Sequence, residues 1–166
     1  GCSALAIAAA TDASFIRVNV LSGARLTDQG IIPGIAHDLL RLRKELSAEC
    51  VAILADVDVK HSASLAEQPF AHEIEDVIQR GHADAIIVSG NATGTSVDNS
   101  QLAEAVEVAG STPVFIGSGA TAESIRKSAS QASGFIVGTS VKHDGIVHKP
   151  VDKERVKEIV LATMQR

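Results

Sequence analysis

The stretch "ILADVDVKHS", residues 53–62, decides the fold because it begins as a buried strand and ends in alternating charge. After an apolar start, Asp56, Asp58 and Lys60 alternate with valines. Successive side chains of a β-strand point to opposite faces, so these three charged side chains are predicted to share one face. The pattern predicts a strand that is buried along most of its length and whose carboxyl end borders a polar site.

Four further runs resemble this strand. Together the five predicted strands are rich in β-branched residues and span residues 14–20, 50–57, 83–90, 113–119 and 134–140. Most of these runs are continuously apolar, which is typical of parallel strands that are covered on both faces. Helical patterns lie before, between and after them, so the order predicts an α/β fold with right-handed crossovers.

The helix starts also have recognisable signals. Proline is favoured in the first turn of a helix, and Ser, Thr, Asp and Asn are favoured as N-caps. A capping box pairs an N-cap with a residue three positions later. The predicted starts are Pro33, Pro69, Asp98 with Gln101 as a capping box, Thr121 and Asp152.

Two architectures fit this order, a doubly wound open sheet and part of a (β/α)8 barrel. Every predicted strand ends in polar or glycine residues, which favours a barrel mouth over the single switch point of an open sheet. Five strands do not close an eight-stranded barrel, so roughly three βα units are expected on the N-terminal side of this chain. The predicted fold is therefore α/β of the TIM-barrel type, with residues 1–166 as a single domain that supplies about the last five βα units.

Two glycine-rich turns carry the clearest binding signal. They follow the last two predicted strands, where barrels often bind phosphate through backbone N–H groups. Glycine permits close approach of a ligand to the backbone, although it also simply permits tight turns. The residues predicted to bind phosphate are Gly117, Ser118, Gly119, Gly138, Thr139 and Ser140.

The charged end of the second strand supplies the candidate catalytic residues. Asp58 is a candidate general base, Lys60 a candidate Schiff-base lysine, and His61 a candidate acid–base group. Hard oxygen ligands suit Mg²⁺, so Asp56 and Asp58 also raise Mg²⁺ as an alternative cofactor, although no metal site is assigned. A salt-bridge network that only fixes the barrel's register is the structural alternative. The residues predicted to contact substrate are Arg17, Asn19, Asp56 and Ser89.

Two loops are further candidates. Residues 22–34 are predicted to form a long loop that serves as a lid, because barrel loops often carry function. Residues 90–98 are rich in small hydroxyl side chains and are predicted to contact polar ligand groups.

Composition restricts the partners. The net charge of −5, the four Phe residues and the absence of Trp and Tyr disfavour a nucleic-acid surface. The longest apolar run, Ala4–Ala10, is far shorter than the roughly 20 residues of a membrane-spanning helix. Cys2 and Cys50 show no metal spacing, and they indicate a reducing compartment. A cytoplasmic location is expected, with peripheral membrane association as an alternative.

The sequence resembles the BtpA/SgcQ family over nearly the whole chain, from about Leu5 onward. The resemblance rests on the blocks "FIRVNVLSGARLTDQGIIPG", "ILADVDVKHS", "DAIIVSGNATG", "PVFIGSGAT" and "GFIVGTSVKHDGIVHKPVD". It implies a TIM barrel related to phosphate-binding barrels, with members that extend well beyond this chain on the N-terminal side. Cyanobacterial members are associated with biogenesis or stability of photosystem I at thylakoid membranes, and SgcQ-type members are presumed enzymes of sugar utilisation.

The expected function follows from the residues and the resemblance together. We expect an enzyme, or a protein derived from one, that acts on a phosphorylated small molecule such as a sugar phosphate, by aldolase, isomerase or lyase chemistry. The alternative is a non-catalytic factor for biogenesis or stability of a membrane protein complex such as photosystem I. A homo-oligomer is also expected, because a five-stranded sheet leaves two open edges.

Overall fold

The computed structural model describes residues 1–59, 62–66, 68–89 and 98–164. A π-helical turn, Asp76–Arg80, continues the third helix, and 3-10 turns lie at Thr139–Val141 and His143–Gly145. The helices and strands follow in the order α1 (Cys2–Thr11), β1 (Phe15–Val18), β2 (Ala24–Thr27), β3 (Gly30–Pro33), α2 (Ala36–Glu45), β4 (Ala52–Val57), β5 (Ser62–Ser64), α3 (Phe70–Glu75), β6 (Ala85–Val88), α4 (Asn99–Ala109), β7 (Val114–Ile116), α5 (Ala122–Ser128), β8 (Gly134–Phe135) and α6 (Lys153–Met164).

The main sheet has five parallel strands in the order β1-β4-β6-β7-β8. Each strand lies beside the next parallel strand of the chain, whereas a doubly wound sheet reverses its order at a switch point. The order therefore selects the TIM-barrel type over the doubly wound alternative. In this chain the sheet is open, and β1 and β8 are its edges.

The strands divide their side chains between two apolar layers. In β4, Ile53, Ala55 and Val57 face the helices and join the main core. Leu54 faces the other way, and it packs with Ala85 and Ile87 in a smaller cluster. Since Asp56 alternates with Ala55 and Val57, it lies on the Leu54 face, which is the inner face of a barrel.

A second, three-stranded antiparallel sheet, in the order β3-β2-β5, occupies part of the segment that was predicted to be a loop. The prediction of a long loop over residues 22–34 is therefore wrong. The turn that joins β2 to β3 is closed by Thr27, whose Oγ1 donates to the Gly30 carbonyl at 2.9 Å, and Gly30 has a φ of 101°. Pro33 was predicted to open α2, but it ends the edge strand β3, where a residue without an N–H is tolerated.

Side-chain caps begin three helices as predicted. Asp98 accepts from the Ser100 N–H at 3.0 Å, Thr121 from Ser124 at 3.2 Å, and Asp152 from Glu154 at 2.9 Å. None of the helices in the described residues combines the length and apolar character that crossing a membrane requires.

Candidate functional site

Two adjoining cavities lie at the carboxyl ends of the parallel strands. The charged cavity, of about 140 Å³, is lined by Arg17, Asn19, Asp56, Val57, Asp58, Val59, Ser89, Gly117 and Ser118. The glycine cavity, of about 460 Å³, is lined by residues 117–121, 136–140, 145 and 155. Gly117 and Ser118 line both cavities, so a small molecule that fills one of them borders the other.

The structure brings the described candidate residues together in these two cavities. The charged cavity holds Asp58 and the four residues predicted to contact substrate, and the glycine cavity holds all six residues predicted to bind phosphate. Lys60, His61 and residues 90–97 lie outside the described residues. The roles assigned to all these residues stay predictions.

Arg17 and Asp56 form a two-pronged ion pair across neighbouring strands. Arg17 Nη2 donates to Asp56 Oδ1 at 2.7 Å, and Nε donates to Oδ2 at 3.0 Å. Arg17 pairs in register with Leu54, which places Asp56 two residues further along the same face. The Asp56 side chain is 6% exposed and that of Arg17 is 42% exposed. Burial therefore raises the pKa of Asp56 above its ordinary value of 3.8, and the hydrogen bonds and charge of Arg17 oppose that rise.

The arrangement does not favour the Mg²⁺ alternative. Both oxygens of Asp56 already accept from the Arg17 guanidinium, so each has a cationic partner. Within the described ranges, no three His, Cys, Asp or Glu side chains are grouped to hold a metal ion.

Asp58 lies just past the end of β4 in a left-handed backbone conformation, with a φ of 51°. Few non-glycine residues adopt this conformation, and Asp is among those that tolerate it. The side chain of Glu73 accepts from the Asp58 N–H at 2.9 Å, and Gln101 Nε2 donates to Asp58 Oδ2 at 2.9 Å. Arg25 pairs with Glu73, and its Nη1 lies 3.9 Å from Asp58 Oδ1.

The sequence did not predict the contacts that three residues make around Asp58. Arg25 was placed in a loop, yet it is 6% exposed on β2 and contacts α3. Gln101 was predicted to complete a capping box, but its amide reaches Asp58 instead, so that prediction is wrong. No local signal identifies Glu73, because its partners lie 15 and 48 positions away along the chain.

The first glycine turn, residues 117–120, is closely packed, and a hydrogen bond joins it to the second, residues 138–140. A Cβ on Gly117 would lie 2.4 Å from Ile87 Cγ2 and 2.6 Å from Ser89 Oγ, so only glycine fits there. The Ser140 hydroxyl donates to the Ala120 carbonyl at 2.5 Å and joins the two turns. Arg155 Nη1 donates to the Ser140 carbonyl at 3.2 Å, which places a cation beside the second turn. In the described part of the chain, no backbone carbonyl accepts from the N–H groups of Gly119, Gly138 and Thr139.

The sequence model of the BtpA family matches residues 1–165. The chain belongs to the BtpA family. It is 49% identical over 160 residues to "Photosystem I biogenesis protein BtpA" of Synechocystis, a match that covers 96% of this chain and 55% of that protein. It is 48% identical over 160 residues to an uncharacterized protein of Thermococcus kodakarensis, covering 96% of this chain and 60% of that protein. This BtpA-family chain thus spans a little over half the length of these relatives.

Solved structures support the TIM-barrel type. N-(5'-phosphoribosyl)anthranilate isomerase from Pyrococcus furiosus superposes with a TM-score of 0.61 at 20% identity, covering 100% of this chain and 70% of that one. A chain of the Amycolatopsis orientalis BexX/CysO complex superposes with a TM-score of 0.54 at 15% identity, covering 96% of this chain and 57% of that one. At these identities the likeness concerns the fold alone.

We predict that Asp58→Gly is more stable than Asp58→Ala by about 1 kcal/mol, because a positive φ strains alanine and not glycine. Both variants lose the same side-chain contacts, so the difference between their free energies of unfolding in urea measures the strain of the backbone conformation at position 58. Glu75, at a helical φ of −57°, is the control, and there alanine should be the more stable of the two. An alanine at position 58 that is as stable as glycine would contradict the left-handed conformation.

We also predict that an NMR titration of the Asp56 carboxyl gives a pKa above 3.8, and that Arg17→Met raises it further because the opposing charge is lost. In this case the folded state binds the proton more tightly than the unfolded chain. The contribution of Asp56 to the free energy of unfolding therefore falls as the pH rises from 3.8 through the folded pKa, and Asp56→Asn abolishes that fall. A titration midpoint at or below 3.8, or a downward shift in Arg17→Met, would show that burial is not the dominant effect.

Proposed function

We propose that this BtpA-family chain contributes to the site of an enzyme that acts on a phosphorylated small molecule, with the phosphate group in the glycine cavity. The observation that carries the proposal is that both glycine turns line one cavity, next to Arg155. Backbone N–H groups with no carbonyl partner, together with a guanidinium, are the groups that proteins use to bind phosphate.

The charged cavity indicates what the remainder of the substrate carries. Its polar lining combines carboxylates, an amide, a hydroxyl and a guanidinium, from Asp56, Asp58, Asn19, Ser89 and Arg17. These groups can accept hydrogen bonds from hydroxyl groups and can donate them to hydroxyl and carbonyl oxygens. A sugar phosphate, which presents a phosphate at one end and hydroxyl and carbonyl groups at the other, complements the two adjoining cavities.

We expect Arg155→Met to weaken the binding of inorganic phosphate at least tenfold, measured by isothermal titration calorimetry, because it removes the cation beside the second turn. Lys157→Met is the matched control. This substitution removes the same charge from the same helix, but Lys157 is exposed and pairs with Glu154. Equal affinities in the two variants, or no binding of phosphate by the unmodified protein, would reject the glycine cavity as a phosphate site.

A second candidate function is favoured by the name of a relative. The Synechocystis protein, 49% identical over the matched region, is called a photosystem I biogenesis protein. The Thermococcus kodakarensis relative has nearly the same identity and no function in its name, so membership of the family does not by itself assign this role. In this alternative the chain acts as a non-catalytic factor, and its surface matters more than its cavities.

The two candidates respond differently to Asp58→Asn, which keeps the side-chain shape and removes the charge. If the protein acts by catalysis, a Synechocystis strain that lacks its own relative and is complemented by this variant should accumulate no more photosystem I than the uncomplemented strain. Complementation by the unmodified protein is the required control. Full complementation by Asp58→Asn would favour the non-catalytic factor.

A further inference from the structure

The two carboxylates that line the charged cavity have different surroundings. Asp56 is 6% exposed, and both of its oxygens accept from Arg17. Asp58 is 43% exposed, and one of its oxygens accepts from Gln101 while the other is 3.9 Å from the nearest Arg25 nitrogen. When environments separate two neighbouring carboxylates in this way, the two take different chemical roles. Both oxygens of Asp56 are hydrogen-bonded to Arg17, whereas Asp58 is exposed enough for a ligand to reach it.

Arg17 is oriented by Asp56 yet remains accessible. Its Nε and Nη2 are occupied by the carboxylate, and no group among the described residues accepts a hydrogen bond from Nη1. The side chain is 42% exposed, and Nη2 lies 3.4 Å from the position of a Cβ on Gly117. Arg17 therefore lies beside the residue that joins the charged cavity to the glycine cavity. A guanidinium held in this way is a preorganised donor for an oxygen that develops negative charge.

We propose that Asp58 and Arg17 together catalyse proton abstraction next to a carbonyl group, and that the substrate is a phosphorylated α-hydroxy carbonyl compound. This inference rests on the proposed function, because the phosphate in the glycine cavity places the carbon chain in the charged cavity. Asp56 is the positioning residue that holds Arg17. Glu73, which accepts from the Asp58 N–H, and Gln101, which donates to the Asp58 side chain, are positioning residues for Asp58.

The step balances without a cofactor. The Asp58 carboxylate removes the proton from the carbon beside the carbonyl, and the electrons of that C–H bond form a carbon–carbon double bond. The carbonyl π electrons move onto its oxygen, which becomes an enolate oxygen that accepts from Arg17. Return of the proton from Asp58 to the former carbonyl carbon, with transfer of the hydroxyl proton to the enolate oxygen, completes an isomerisation of aldose to ketose or the reverse.

The test compares two probes that share a phosphate and a two-carbon chain. 2-Phosphoglycolohydroxamate adds a planar group that mimics the enediolate, whereas ethyl phosphate lacks it. We expect the hydroxamate to bind the purified protein at least tenfold more tightly by calorimetry. Arg17→Met and Asp58→Asn should each reduce its affinity to that of ethyl phosphate, while their affinity for ethyl phosphate stays within twofold of that of the unmodified protein. Arg17→Lys should restore only part of the preference, because it keeps the charge and loses the fork.

Asp84→Asn is the control, since Asp84 also pairs with an arginine, Arg43, and accepts from the Ile53 N–H, but it lines neither cavity. It should leave the preference for the hydroxamate unchanged. Equal affinity for the two probes in the unmodified protein, or a preference that survives in either Arg17→Met or Asp58→Asn, would overturn the inference while phosphate binding stands. If neither ethyl phosphate nor inorganic phosphate binds, the proposed function itself fails, and the inference fails with it.

Discussion

Parallel pairing in chain order is the constraint on which the site depends. Because every strand of the main sheet runs in the same direction and lies beside its successor, the carboxyl ends collect at one edge. Residues as distant in sequence as Arg17 and Ser118 thereby line one small cavity. The alternation of side chains along each strand then separates the main core, which faces the helices, from the inner face, where Asp56 lies on the same side as the apolar cluster of Leu54, Ala85 and Ile87.

Different degrees of burial give the two carboxylates of the site, Asp56 and Asp58, different surroundings. A buried carboxylate is costly unless it is paired, and the Arg17–Asp56 pair satisfies both Asp56 oxygens while leaving the arginine partly exposed. Asp58 is held from several directions, through Glu73, Gln101 and Arg25, in a backbone conformation that few residues adopt. Unusual backbone geometry that is held by its surroundings is typical of functional positions. The small antiparallel sheet is part of this arrangement, because Arg25 comes from β2.

The fold, and the grouping of the described candidate residues around two cavities, could be predicted because both depend on short-range patterns. Strand ends, glycine turns and the alternation around Asp56 are local features, and parallel topology brings them together. The network around Asp58 was not predictable in this way. Arg25, Glu73 and Gln101 meet Asp58 across sequence separations set by tertiary packing, and a glutamine three residues after Asp98 matches a capping box whether or not it caps the helix. The strands β2, β3 and β5 are so short that their sequence pattern does not distinguish a strand from a loop.

The most direct measurement of the central claim is a crystal structure of the protein at saturating inorganic phosphate. The account predicts phosphate density between residues 117–119 and 138–140, with its oxygens within hydrogen-bonding distance of the N–H groups of Gly119, Gly138 and Thr139, beside Arg155. It also predicts that Arg17 and Asp58 line the adjoining charged cavity. An empty glycine cavity at saturating phosphate, or phosphate bound only elsewhere on the molecule, would contradict it.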